Sequence, residues 1–202
     1  IMAGQFPTDP NFRRISFTSN SPTLLNQTLS GRRQVRQIGA QYFSFTVQMP
    51  PSQQEKAQEV FAFLNKQKGS FDTFTFQYSL ENQGADKAQT DILVNGTAAI
   101  GATQVPLDGL TNSTTGVLKA GDLIKFANHN KVYMVTADES SNGSGEVAAV
   151  DIEPPLQAAL VNNEAVTVNQ PSFTVALAQD DVLYSTDPAG LFTLSFDVRE
   201  VL

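Results

Sequence analysis

One stretch of this chain, SQQEKAQEVFAFLNKQKG (Ser52–Gly69), spaces its apolar residues like a helix, and the sequence on both sides of it alternates. Before it, Phe43, Phe45, Val47 and Met49 interleave with Ser44, Thr46 and Gln48, the period of a half-buried strand. Pro50 and Pro51 end that strand, because neither can donate to a sheet ladder. Ser52 stands where an N-cap belongs, with Glu55 three residues on as in a capping box. Ala57, Val60, Phe61 and Leu64 follow as one apolar stripe, while Gln53, Gln54, Glu59 and Lys66 fall outside it. Lys66 and Lys68 suit the last turn, and Gly69 is the natural stop. The spacing predicts a helix over 52–68 with those four side chains buried against a sheet. Their burial contributes roughly 5–9 kcal/mol as an upper estimate. After the helix, Phe74, Phe76, Tyr78 and Leu80 predict a second strand.

A different texture begins near Glu81. From Thr90 to Asn169 the apolar runs shorten and turn signals crowd, among them Asn95-Gly96, Asp108-Gly109, Gly121-Asp122 and Asn142-Gly143. The runs at 92–94, 123–127, 132–136, 147–152 and 165–168 read as short strands of a small barrel or sandwich. LQAAL at 156–160, after Pro154-Pro155, suits one helical turn. After Pro171 the first texture returns: Phe173, Val175 and Leu177 alternate, as do Phe192, Leu194, Phe196 and Val198. The chain is therefore expected to be mainly β. Residues 1–82 with 170–202 form a β-sandwich flanked by the helix, interrupted by an inserted β-domain at 90–169. A tandem arrangement would leave a final piece too short to fold alone. The arm before the first strand also has β character, with Ile15 and Phe17 alternating, a turn at Asn20-Ser21-Pro22, Leu24 and Leu25, then Ser30-Gly31 before RRQVRQ.

The net charge of −7 argues against nucleic acid as the main partner, since phosphate binding needs a basic footprint. Its distribution is uneven. Residues 1–70 carry eight Lys/Arg and three Asp/Glu, a net of +5, whereas 71–202 carry five and seventeen, a net of −12. Such a split is either a solvated surface or charge that pairs across copies of the chain. No apolar run is long enough for a membrane span, and the first ten residues carry no basic start or apolar signal core. There is no cysteine, hence no disulfide and no thiolate metal site; a reducing cytoplasm fits as the place of assembly.

Candidate chemistry is sparse. The single histidine, His129, sits between Asn128 and Asn130, which favours a tight hairpin turn over catalysis or metal binding. Asp138, Ser140, Asn142 and Gly143 occupy calcium-loop positions, but Ala149 stands where a bidentate Glu is required, so 138–146 reads as a solvated hairpin loop rather than an ion site. No phosphate loop and no nucleophile elbow is present. Asp180-Asp181 is a carboxylate pair of the kind usually found solvated. Neither enzymatic activity nor a cofactor is expected. The basic run Arg32, Arg33 and Arg36 reads equally as a guarded sheet edge or as an interface with a neighbouring subunit.

The order of these features resembles a known family. A basic segment runs into YFSFTVQMP, an acid-containing helix follows with EVFAFLNKQKG, then the aromatic strand FDTFTFQY, and LFTLSFDVREVL closes the chain. This resembles the distal tail proteins of long-tailed phages, in particular the minor tail protein M family of lambda-like phages, over about residues 30–80 and 172–202. The segment Thr90–Asn169 departs from the small lambda-like members, although larger members carry an extra domain on the same core. The resemblance implies a tail-tube-type β-sandwich and a homo-hexameric ring at the tail tip. Its implied partners are further copies of the chain, the tail-tube protein and the hub or tip proteins that carry fibres. Alternatives are a main tail-tube subunit, another tail accessory role, or carbohydrate binding by the inserted domain. Tyr133 and Phe126 are the only Tyr and Phe within 90–169, and both suit core positions better than a sugar platform.

Overall fold

A computed structural model describes residues 2–7, 12–78, 80–188 and 190–202. In its first third the chain makes β1 (Met2–Gln5), β2 (Arg14–Asn20), β3 (Thr23–Gln27), β4 (Arg33–Gln37), β5 (Tyr42–Gln48), the helix α1 (Gln54–Lys66) and β6 (Thr73–Gln77). Eight further strands follow: β7 (Leu93–Val94), β8 (Gln104–Asp108), β9 (Thr115–Leu118), β10 (Leu123–Phe126), β11 (Val132–Val135), β12 (Glu139–Ser140), β13 (Val147–Glu153) and β14 (Val166–Thr167). The chain closes with β15 (Ser172–Leu177), β16 (Leu183–Thr186) and β17 (Phe192–Glu200). Two compact units result, Ile1–Thr75 with Thr174–Val201, and Phe76–Phe173.

In the first unit the alternating aromatic strands build one seven-stranded sheet in the order β1-β6-β15-β17-β5-β2, with β16 also paired to β17. The chain leaves this unit along β6 and returns along β15. The inward residues Phe43, Phe45 and Val47 of β5 and Leu194, Phe196 and Val198 of β17 are buried, as their period of two requires. Helix α1 packs against β17. Ala57, Val60 and Leu64 are buried on it, whereas Phe61 is half-buried and stacks on Tyr184 with ring centroids 4.8 Å apart. At 3.6 residues per turn, Phe61 and Phe63 fall on opposite flanks of the stripe. Phe63 meets Phe6 and Phe74 edge-on, at 5.7 and 5.4 Å.

The helix begins one residue later than the capping box predicts. Its N-cap is Gln53, and no side chain caps it. Ser52 instead exchanges backbone hydrogen bonds with Phe192, its N–H donating at 3.0 Å and its carbonyl accepting at 2.9 Å. Sheet pairing claims two backbone groups at Ser52, against the one amide that its hydroxyl would satisfy as a cap. The far end follows the expected pattern of a left-handed exit, with φ of 57° at Lys68 and 66° at Gly69. Any Cβ at Gly69 would meet Asp180 Oδ1 at 2.6 Å. The second strand, expected to reach Leu80, ends at Gln77.

The second unit is a barrel. Its sheet runs β14-β10-β11-β13-β8-β7. Hydrogen bonds from Val94 N to Glu164 O, Asn163 N to Val94 O and Val166 N to Ile92 O draw its first and last strands together, so the sheet nearly closes. Ile92, Leu107, Ile124, Phe126, Tyr133 and Val150 fill the interior with no exposed surface. The segment 156–160 forms no helical turn: Leu156 N donates to Ala102 O and Leu160 N to Ala98 O, which place both leucines in the core. The polar stretch before Thr90 is part of this unit. Asn82 gives its amide to the carbonyls of Leu123 and Val168 and takes Leu123 N–H, each at 2.8 Å. Asp122 accepts the amides of Gln83, Gly84 and Lys119 at 2.6–3.0 Å. Asp86 accepts both the amide and the hydroxyl of Thr111. Gly84 lies so close to the barrel that a Cβ there would stand 2.3 Å from Val117 O.

Candidate assembly interface

The strands β3 and β4 form a separate two-stranded sheet, paired from Thr23↔Gln37 to Gln27↔Arg33. The tip is closed locally. Thr28 N donates to Arg32 O at 3.0 Å, Arg32 N to Thr28 Oγ1 at 3.1 Å, and Gly31 turns at φ 78°. All ten strand residues are exposed, so neither face of the ribbon is covered. Leu24, Leu25 and Val35 are each at least half exposed, and Leu29 at the tip is fully so. An isolated two-stranded hairpin is marginal in water at best, and exposed apolar clusters of this kind mark interaction surfaces.

The three arginines singled out in the sequence all lie on this ribbon or its tip, and all are exposed. They do not form one patch. Arg36 pairs opposite Leu24 and Arg33 opposite Gln27; successive strand residues alternate faces, so Arg33 and Arg36 point to opposite sides. Arg33 shares its face with the Leu25–Val35 pair. Arg32 stands at the tip. The ribbon thus offers both an apolar and a cationic component on each face. The charge it could meet is concentrated elsewhere: Phe76–Phe173 holds four lysines and eleven Asp/Glu, a net of −7, while the remaining residues balance at nine and nine.

The other candidate positions have structural partners. His129 is buried in the turn between β10 and β11, with Nδ1 2.8 Å from the Tyr133 hydroxyl. That hydroxyl also accepts Gln157 N–H at 3.1 Å. Burial holds the imidazole below its ordinary pKa, partly opposed by the Glu164 carboxylate and the Ala159 carbonyl. In the loop 138–146, Asp138 accepts Ala120 N–H at 3.0 Å and Asn142 Oδ1 accepts the amides of Ser144 and Glu146. Among the described residues no cluster of His, Asp and Glu is arranged to hold a metal ion. Asp180 accepts the amide and hydroxyl of Ser70, which lower its pKa, at the exit of α1. A shallow pocket of about 230 Å³ is lined by Arg13, Gln48, Met49, Leu183, Ser185, Thr193, Leu194 and Ser195 and contains no carboxylate to pair with its one cation. Tyr133 and Phe126 are both fully buried. No described helix is long and apolar enough to cross a membrane.

Residues 85–171 match the family model described as distal tail protein pb9, B domain. The match covers most of the barrel, including part of the stretch fastened by Asp122 and Asp86. The chain is also 28% identical over 201 residues to distal tail protein pb9 of Escherichia phage T5, an alignment that covers 95% of this chain and 92% of the relative. Both matches, one local and one nearly end to end, are to the phage distal tail protein pb9, and this chain is similar to it across both of its units.

Proposed function

We propose that this structural tail protein works as a closed homo-hexameric ring at the distal end of the tail tube, between the tube and the hub or tip proteins that carry fibres. The observation that carries this reading is the β3–β4 ribbon, whose ten strand residues are all exposed and which displays leucines, a valine and arginines together. A ribbon of this kind gains its stability from what it docks against. The acidic Phe76–Phe173 unit supplies surface of opposite charge in a second copy. In this reading Arg32, Arg33 and Arg36 steer and register the contact, and Leu24, Leu25 and Val35 supply its apolar area. The barrel folds as an inserted domain on the ring-forming unit. The protein acts by geometry, as a coupling piece, in the tail of the virion.

Light scattering at low and high salt tests this reading. Exposed charge pairs contribute about 0–1 kcal/mol each, and screening acts within about 8–10 Å at ordinary ionic strength. Salt should therefore slow assembly of the wild type more than it dissolves a finished ring. A variant with Arg32, Arg33 and Arg36 all changed to Glu should assemble poorly at every salt concentration. Equal assembly of variant and wild type would remove the arginines from the interface. A wild type that stays monomeric at all concentrations and occurs singly in the particle would rule out the ring.

A further inference from the structure

The chain contains two Asn-Gly pairs, Asn95-Gly96 and Asn142-Gly143, both in the barrel and both with an exposed asparagine. An asparagine before glycine is open to attack on its own side-chain carbonyl carbon by the next backbone nitrogen, because glycine has no Cβ to block the approach. The fold treats the two pairs differently. Gly96 N–H is donated to Asn162 Oδ1 at 2.7 Å, so the nitrogen that would attack Asn95 is held by another acceptor. Gly143 is exposed and its N–H makes no hydrogen bond among the described residues.

The electrophile differs as well. Asn142 Oδ1 accepts Ser144 N–H at 2.8 Å and Glu146 N–H at 3.0 Å. The ring closed by the first of these bonds contains the Gly143 nitrogen. Two backbone donors on one carbonyl oxygen stabilise the negative charge that develops there during attack, as in an oxyanion hole. Asn142 Nδ2 is held at 2.9 Å from Glu146 Oε2. The one hydrogen bond of the Asn95 side chain is a long contact from Nδ2 to Glu146 Oε1, 3.5 Å, which does nothing for its carbonyl.

We infer that Asn142 is a site of spontaneous deamidation through a cyclic imide, and that Asn95 is protected by Asn162. The Gly143 nitrogen loses its proton to solvent base and forms a bond to Asn142 Cγ. The Cγ–Nδ2 bond then breaks and the amide leaves as ammonia. Water opens the five-membered imide at either carbonyl, giving aspartate or isoaspartate. The net reaction consumes one water and releases one ammonia, with no change of oxidation state. Each event adds a negative charge to an already acidic unit. It also replaces the 2.9 Å bond to Glu146 by like-charge repulsion. The isoaspartate product lengthens the backbone by one carbon in the loop between β12 and β13.

The test is peptide mass mapping of the purified full chain, incubated at mildly alkaline pH with and without urea. In urea the two pairs should convert at similar rates. In the folded protein Asn142 should convert about tenfold faster than Asn95, the ratio that a modest difference in barrier produces. Asn162→Ala frees Gly96 N–H and should speed Asn95 without changing Asn142. Gly143→Ala should slow Asn142. Its added Cβ meets nothing closer than Ser113 Oγ at 3.9 Å, and Gly143 does not adopt positive φ, so this variant should fold. Equal rates in the folded protein, Asn95 leading, or no conversion at either site while both convert in urea would each overturn the proposal.

Discussion

Two antiparallel hairpins of this molecule have opposite surroundings. β10 and β11 bury six of their eight residues, including Phe126 and Tyr133, and are flanked by β14 and β13. β3 and β4 bury none of their ten and, among the described residues, pair only with each other. The first hairpin is held by its own domain. The second carries Leu24, Leu25 and Val35 into solvent at a cost that folding of the single chain does not recover. The difference teaches where to look for function: in the element whose stability is left incomplete, not in the one with the histidine.

The largest expected effect should come from the covered hairpin. Phe126→Ala removes a fully buried ring and should destabilise the barrel by about 3–5 kcal/mol, read from the urea midpoint. Leu64→Ala in α1 should cost about 2–5 kcal/mol in the first unit, and Phe61→Ala less than Leu64→Ala, because Phe61 is half-buried. If Phe61 proved the costlier, its stack on Tyr184 would be the helix's main anchor. Asn82→Ala leaves Leu123 N–H and two carbonyls without their partner and should cost about 1–3 kcal/mol. A deletion of 90–169 removes Asp122 and so strands the amides of Gln83 and Gly84. Joining the chain near Gln77 and Gln170, whose side chain and backbone already meet at 3.2 Å, should therefore give a better-folded first unit. An insoluble product from both deletions would count against an inserted domain.

Acid should also separate the hairpins. His129 binds its proton more weakly in the fold than in the unfolded chain. The barrel's stability from this source is complete above the unfolded pKa, about 6.5, and declines as pH falls from there toward the folded value. Comparing His129→Gln with wild type isolates the term from Glu139, whose raised pKa acts with the opposite sign. Wild type should lose more stability than the variant between pH about 7.5 and about 5.5. Equal losses would mean that His129 is free to charge in place. The smallest effect belongs to the exposed hairpin. Val35→Ser should change the stability of the isolated chain by no more than about 0.5 kcal/mol while weakening assembly. A large loss of stability would show that the ribbon packs on its own chain.

Sequence reading and structure part company where distant residues intervene. The stripe of α1 and the alternation of β5, β6, β15 and β17 are local signals, and local physics produces them. Ser52 is misread because its backbone pairs with Phe192, far along the chain. Asn82 looks like loop polarity until its partners Leu123 and Val168 are brought beside it, 41 and 86 residues on. The asparagines around His129 signal the turn, but Glu164, whose charge acts on the ring, and Gln157, which donates to its Tyr133 partner, lie far along the chain. For the candidate interface, RRQVRQ is visible as a basic run. Its register with TLLNQ is not, because the adjacent Leu24 and Leu25 break the period of two.

The central claim is that the β3–β4 ribbon is an assembly surface. Electron cryo-microscopy of the intact tail tests it most directly. The account predicts six copies in a single ring, with residues 23–37 of each copy packed against a neighbouring chain and Leu25 and Val35 covered. A single copy, or a ring in which those residues remain in solvent on both faces, would contradict it.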